Sequence, residues 1–338
     1  MKTFTKVILI TAGSLVAVGL IATGAAAAMG GGITNVFTNQ EKYEEVKFDF
    51  SDDVNNIVIN ESSHDIEFKR SDDNLVHVSA HDSDHYKHDV KVEGDTLKID
   101  ADSKVEVHIG INIQPKPIKT TVYLPEEQYD KLTIKASSSD VLLPSGISFD
   151  NAEVITSSGD IAFSSNVSTD LKIKASSGDI SLKDCDSKTL SVNTSSGNIA
   201  IKDVDDAAMD LVSSSGDVNI TNCKFNSVNA TTSSGYITLA DTTIENILSL
   251  EASSGDISLV RVSADSLNSK TTSGDFDFSE LSLTSDSKIS TNSGDVFGKG
   301  SVGFFVDSDT SSGDVDVNQD RDGVYLKVTT SSGDITIN

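Results

Sequence analysis

The chain has no tryptophan, four prolines, two cysteines and three methionines in 338 residues. Without tryptophan, its thirteen phenylalanines suit the filling of a core better than an exposed aromatic platform. Basic residues are scarce as well: 26 Lys and Arg against 52 Asp and Glu leave a formal charge of −26. Such a surface repels nucleic acid and anionic lipid headgroups, and would attract cations or basic partners. Long hydrophobic runs are missing, with one exception. Lys2 and Lys6 precede a stretch from Val7 to Ile33 that carries no charge. A helix of about 20 residues spans the hydrocarbon layer, and the lysines would hold its amino end inside. Ala25, Ala26, Ala27 and Ala28 offer small residues of the kind signal peptidase accepts. Residues 1–33 are therefore expected to be a transmembrane anchor or a signal segment, and residues 34–44 a glycine-led stem. Both versions place the rest of the chain outside the cytoplasm: a single-pass cell-membrane protein if the segment is retained, a secreted one if it is cleaved.

The dominant feature is a phrase, Ser-Ser-Gly-Asp followed by an apolar residue. Its glycines are Gly159, Gly178, Gly197, Gly216, Gly235, Gly255, Gly274, Gly294, Gly313 and Gly333, with Ser139 in the same phase one step earlier. Steps of 19 or 20 residues fit one turn of a solenoid and are too short for a domain. The second residue after each glycine is apolar throughout, from Ile161, Ile180 and Ile199 to Ile335; the fourth is apolar except at Gly298. Two apolar residues separated by one polar residue make a short strand with one face inward. A second strand shows in Leu171/Ile173, Leu190/Val192 and Leu248/Leu250, and a weaker inward position includes Cys185, Val204, Cys223 and Leu281. Twenty extended residues reach only about 66 Å, so each coil closes around a narrow, side-chain-filled interior. About ten coils at ~4.8 Å each make a rod roughly 50 Å long.

Cys185 and Cys223 fall on one line two coils apart, roughly 9.6 Å. That exceeds the ~7 Å limit for a disulfide, and they read as buried small hydrophobes. The glycine is expected to adopt a backbone conformation costly for other residues, and the serines to bond along the edge through their hydroxyls. Thr156, Thr194, Thr232, Thr271, Thr291, Thr310 and Thr330 share a phase that an ice-binding face would need to expose. Asp160, Asp179, Asp217, Asp256, Asp275, Asp295, Asp314 and Asp334 follow the glycines, interrupted by Asn198 and Tyr236. They can cap the turn through backbone amides, or they can form a metal site binding calcium, whose ligands are carboxylate and carbonyl oxygens.

Residues 45–131 show strands without the repeat, and Pro115, Pro117 and Pro125 fall there. An irregular β cap is expected, ahead of a solenoid over residues 132–338. All six histidines lie in this segment: His64, His77, His81, His85, His88 and His108. His81, His85 and His88 stand beside Asp82, Asp84 and Asp89. Imidazole and carboxylate together can bind divalent ions, although the stretch reads first as a solvated loop.

The repeated Ser-Ser-Gly-Asp-Ile or -Val, as at Ser177–Ile180 and Ser332–Ile335, and the β segment before it resemble the bacterial putative-adhesin β-strand repeat family over about residues 45–338. The resemblance implies an all-β envelope protein with an amino-terminal membrane segment and no recognised catalytic residues. The expected fold is a single-stacked parallel β-solenoid (β-helix) with an irregular N-terminal β cap, preceded by one transmembrane or signal helix. The expected function is a non-enzymatic, membrane-tethered scaffold or adhesin-like module, linked to envelope stress or surface interaction, whose partner is an envelope or surface protein or a glycan. Two alternatives are a calcium-binding envelope protein and a polysaccharide-acting β-helix enzyme. Glycoside hydrolysis needs a carboxylate pair, and no pair stands apart from the repeat.

Overall fold

The computed structural model describes residues 42–51, 53–103, 118–300 and 303–338. The anchor or signal segment, most of the stem, Val105–Ile113, His108, Pro115 and Pro117 lie outside the described residues. Among the described residues every regular element is a strand, and no helix is long and apolar enough to cross a membrane.

Alternation of buried and exposed side chains turns each repeat into coil. Ile161, Ile180, Ile199, Val218, Ile237, Ile257, Phe276 and Val296 stack in parallel register along one face. Leu171, Leu190, Met209, Val228, Leu248 and Leu267 stack along a second. A short third side carries Phe225, Ile244, Ala264 and Leu283 in register. All of these side chains are buried. The result is a parallel β-solenoid of about ten turns. Gly298 interrupts the inward line for a packing reason: a Cβ there would lie 2.2 Å from the Phe278 ring, so the larger neighbour fills its place.

The amino-terminal strands are β1 (Glu44–Phe50), β2 (Asn56–Glu61), β3 (Asp65–Arg70), β4 (Val76–Asp82), β5 (Tyr86–Glu93), β6 (Thr96–Ser103), β7 (Lys119–Leu124), β8 (Gln128–Ala136) and β9 (Val141–Leu143). β4 runs antiparallel between β1 and β7, and β5 antiparallel to β6. The parallel stack itself reaches back to β2 and β3. β2 pairs in parallel with β6 and β8, and β3 with β7 and β9. The strands β4–β7 are thus inserted between the first coil and the next, and they fold over its end.

The carboxyl end departs from chain order. Strand Ile335–Ile337 pairs with Val296–Lys299 on one side and Val315–Val317 on the other. Strand Val324–Thr330 likewise sits between Ser287–Ser290 and Phe304–Thr310. The last coil in sequence is therefore wedged beneath the penultimate one. The reversal at residues 318–323 crosses the open end, where the Gln319 side-chain amide donates to Val306 O (2.8 Å) and accepts from Val306 N–H (2.9 Å). It imitates a peptide group on an edge strand that would otherwise invite pairing.

Candidate functional site

The repeat phrase is a corner, and its parts have separable duties. None of the repeat glycines has a positive φ, contrary to the expectation of an unusual backbone conformation. Glycine is required because successive coils touch there: a Cβ on Gly197 would sit 1.8 Å from the carbonyl oxygen of Gly178 and 2.5 Å from its carbon. The threonine three residues before the glycine is buried rather than displayed, except at half-buried Thr310. Its hydroxyl accepts the glycine N–H, at 3.1 Å for Thr156 and Gly159 and 3.2 Å for Thr194 and Gly197. The line thus lacks the exposed face that ice binding needs. The serines are exposed and are tied to the next coil through backbone, as Ser177 N–H to Ser157 O at 3.0 Å.

Every aspartate of the line but the terminal Asp314 accepts, through Oδ1, the backbone N–H of its equivalent in the neighbouring coil. Asp160 accepts from Asp179 (2.9 Å), Asp179 from Asn198 (2.8 Å) and Asn198 from Asp217 (3.0 Å). Asp217 accepts from Tyr236 and Asp256 from Asp275, both at 2.9 Å. The order then follows the wedged coil: Asp275, Asp295, Asp334, Asp314. One carboxylate oxygen per coil therefore has a structural duty that a neutral Asn198 also performs. A second corner goes unannounced in the sequence. Asp184, Asp203, Asn222, Asp241, Arg261 and Glu280 all hold φ between 51° and 55°, the left-handed region that Asp and Asn tolerate best. The two cysteines are free and buried as expected. Burial raises their thiols to about 12 for Cys185 and about 11 for Cys223, which leaves them inert.

The one cluster of potential metal ligands among the described residues lies where the corner line begins. In the first coil the phrase reads Glu61-Ser62-Ser63-His64-Asp65-Ile66, in phase with Thr156-Ser157-Ser158-Gly159-Asp160-Ile161. His64 stands in the glycine position and Glu61 in the threonine position. The coil ahead of them is replaced by the cap, and cap residues complete the site. His88 on β5 contacts Glu61 Oε2 through Nε2 at 3.2 Å, and Asp82 Oδ1 holds its Nδ1 at 2.8 Å. The Tyr86 hydroxyl donates to Glu61 Oε1 and accepts the N–H groups of Ser62 and Ser63. Thr120 Oγ1 is 3.1 Å from both Glu61 Oε2 and His88 Nε2. The His64 ring stacks on Tyr86 with centroids 4.1 Å apart, and Tyr43 meets it edge-on at 5.3 Å.

Glu61, His64 and His88 are all buried. Burial would raise Glu61, but the bonds from His88 and Tyr86 outweigh it and hold the carboxyl below its ordinary range. Burial likewise opposes a charged His88, and its bonds to Glu61 and Asp82 prevail, lifting it. His64 has no such help: burial drives it down to about 4, and neither of its ring nitrogens has a hydrogen-bond partner.

Of the histidine group picked out from sequence, only His88 and Asp82 meet here. His81 Nδ1 lies 2.9 Å from the Lys119 carbonyl, and His85 falls in the β4–β5 turn. His77 pairs with Asp49 (2.6 Å) and Asp73 (2.9 Å) on the outer face. Glu61 and His64 were missed because they lie far from the other histidines in sequence. Their signal is the in-phase Glu-Ser-Ser-His-Asp-Ile, a divergent copy of the repeat phrase.

The family described as Toastrack DUF4097 matches residues 54–247 and again 240–338. A putative adhesin from Bacteroides fragilis NCTC 9343 is similar in structure, with 16% identity and a TM-score of 0.42, covering 71% of this chain and 98% of that one. A putative lipid binding protein from Parabacteroides distasonis ATCC 8503 shows 16% identity and a TM-score of 0.39, over 88% of this chain and 98% of its own. A putative cell adhesion protein from Clostridium sporogenes ATCC 15579 shows 10% identity and a TM-score of 0.20, over 88% and 99%. No curated protein matches the chain.

Proposed function

The chain belongs to the Toastrack DUF4097 family, and on that premise we propose that it is a non-enzymatic, extracytoplasmic, membrane-tethered scaffold or adhesin-like binding module of the cell envelope. The observation that carries this reading is the filled interior. Buried apolar side chains form one continuous cluster from Val54 to Ile337, so recognition falls to the outer faces and ends of the rod. Long exposed faces are what solenoids use to engage partners. Two exposed aromatic positions are the contacts of choice: Tyr236, 54% exposed where the aspartate line breaks, and Phe305, 42% exposed and 6.3 Å from the Tyr325 ring. Phe304 beside it is buried and belongs to the core. The aspartate line has a structural duty of its own, since one oxygen of each carboxylate from Asp160 to Asp334, Asp314 excepted, holds a neighbouring backbone amide.

Photo-cross-linking tests this in intact cells, with a photoreactive residue replacing Tyr236 or Phe305 in the full chain. A discrete envelope protein or glycan adduct at either position, absent from a control at a buried site such as Leu182, is the expected result. Turnover of wall or exopolysaccharide by the purified chain, lost on replacing a single carboxylate, would reverse the reading.

A further inference from the structure

We propose that Glu61, His64 and His88 form a structural zinc site that fastens the cap to the first coil. Two imidazoles and a carboxylate are a recurring zinc donor set. Their donor atoms already lie within 4.8 Å of one another. Tetrahedral zinc with bonds of about 2.0–2.1 Å sets its donors roughly 3.3 Å apart, and Glu61 Oε2 and His88 Nε2 stand at 3.2 Å. The remaining movement belongs to His64, whose ring is held by stacking and by no hydrogen bond.

Two features separate this cluster from an ordinary buried ion pair. An ion pair between Glu61 and His88 leaves His64 unexplained: a fully buried imidazole with two orphan nitrogens forfeits its hydration without return, a penalty native interiors rarely accept. A metal ion takes up one of those nitrogens directly. Ser139, the register partner of His64 in the next coil, buries a hydroxyl that is also unpartnered, an available neighbour for the other. Second, Asp82 grips His88 Nδ1 and aims Nε2 at Glu61. That is the carboxylate–histidine–metal arrangement that fixes ring orientation and ligand basicity. Thr120 completes the outer layer by bonding the Glu61 oxygen that faces His88. The fourth position falls to water. Because the ligands are buried, the ion holds elements together and does not meet substrate: Glu61 ends β2, His64 precedes β3, and His88 lies on β5.

The test uses the full chain, stripped with a chelator and titrated with zinc chloride. One zinc per chain and a rise in melting temperature are expected. His64→Leu should leave the stripped protein as stable as the native one or more so, since it removes no bond, yet lower zinc affinity at least 100-fold and abolish the thermal shift. Asp82→Asn, which acts through His88, should cost 10- to 100-fold in affinity. Should His64→Leu fail to fold, X-ray absorption of the zinc-loaded native chain decides. A shell of two imidazole nitrogens with carboxylate oxygen at ~2.0–2.1 Å upholds the site. Absence of stoichiometric binding, an all-oxygen shell, or a His64→Leu chain that binds zinc like the native one overturns it.

Discussion

Replacing Gly197 with alanine isolates the contact on which the stack depends. The new methyl would lie 1.8 Å from Gly178 O and 3.2 Å from Asp179 N. Both are backbone atoms inside a hydrogen-bonded coil, so neither can swing aside. Restoring ordinary contact requires the two coils to part by about 1.5 Å, against a strand spacing of ~4.8 Å. Three bonds span that corner: Ser196 N–H to Ser176 O at 3.1 Å, Ile180 N–H to Asn198 O at 2.8 Å, and Asn198 N–H to Asp179 Oδ1 at 2.8 Å. Such a displacement carries them beyond hydrogen-bonding range. At about 1 kcal/mol net each they account for ~3 kcal/mol, and loosened packing of Ile180 on Ile199 brings the expected cost to about 3–5 kcal/mol. For a chain of 338 residues, with an unfolding entropy of about 2.1 cal/mol/K per residue, that is a fall of roughly 4–7 °C in melting temperature. Gly94→Ala is the control. Gly94 has φ +69° with nothing within 4 Å of a Cβ, so only backbone strain of about 1–2 kcal/mol applies. Thermal melts followed by circular dichroism decide the matter. If Gly197→Ala melts with the native chain, or Gly94→Ala is the more damaging, the close-approach account of the glycine line is wrong.

Asp179→Asn should melt within a degree or two of the native chain, because an amide oxygen serves as well at Asn198; Asp179→Ala should cost about 0.5–1.5 kcal/mol, the scale of a lost cap, and calorimetric titration with millimolar calcium should be flat. Deleting residues 324–338 removes a coil from within the stack, so hydrogen exchange should show residues 304–317 losing protection although they precede the deletion. A simple sequential stack predicts that those residues keep it. Bonds to Asp49 and Asp73 raise the His77 pKa above its ordinary 6.5. Its contribution to pinning β1 on β4 is therefore complete below about pH 6.5 and fades as pH climbs through the raised value. An NMR titration of the His77 ring should show that elevation, and Asp49→Asn should reduce it.

The two inward positions after each glycine, the narrow core and the buried cysteines could be read from spacing, because a short strand has little choice about which face it buries. Coil order could not. Coils that share one phrase are interchangeable neighbours, and only the reversal at residues 318–323, closed by Asp320 N–H on Phe304 O, places the last beneath the penultimate. The left-handed line was hidden at Arg261 and Glu280, whose side chains give no hint of that conformation. The duty of the aspartates became visible only with coils in register, because their donors lie about a full period away. The Glu61, His64 and His88 cluster draws on β2, its following turn and β5, which the inserted cap brings together. The histidine-rich stretch from His81 to His88 pointed to the neighbourhood and supplied one ligand of three.

What remains is the division of labour between a repeat that builds a rod and a first coil that carries the chemistry. Anomalous scattering at the zinc edge from a crystal of the zinc-loaded full chain tests it most directly. The account predicts a single peak within bonding distance of Glu61, His64 and His88, with none along the line from Asp160 to Asp334. Peaks on the aspartate line and an empty first corner would contradict it.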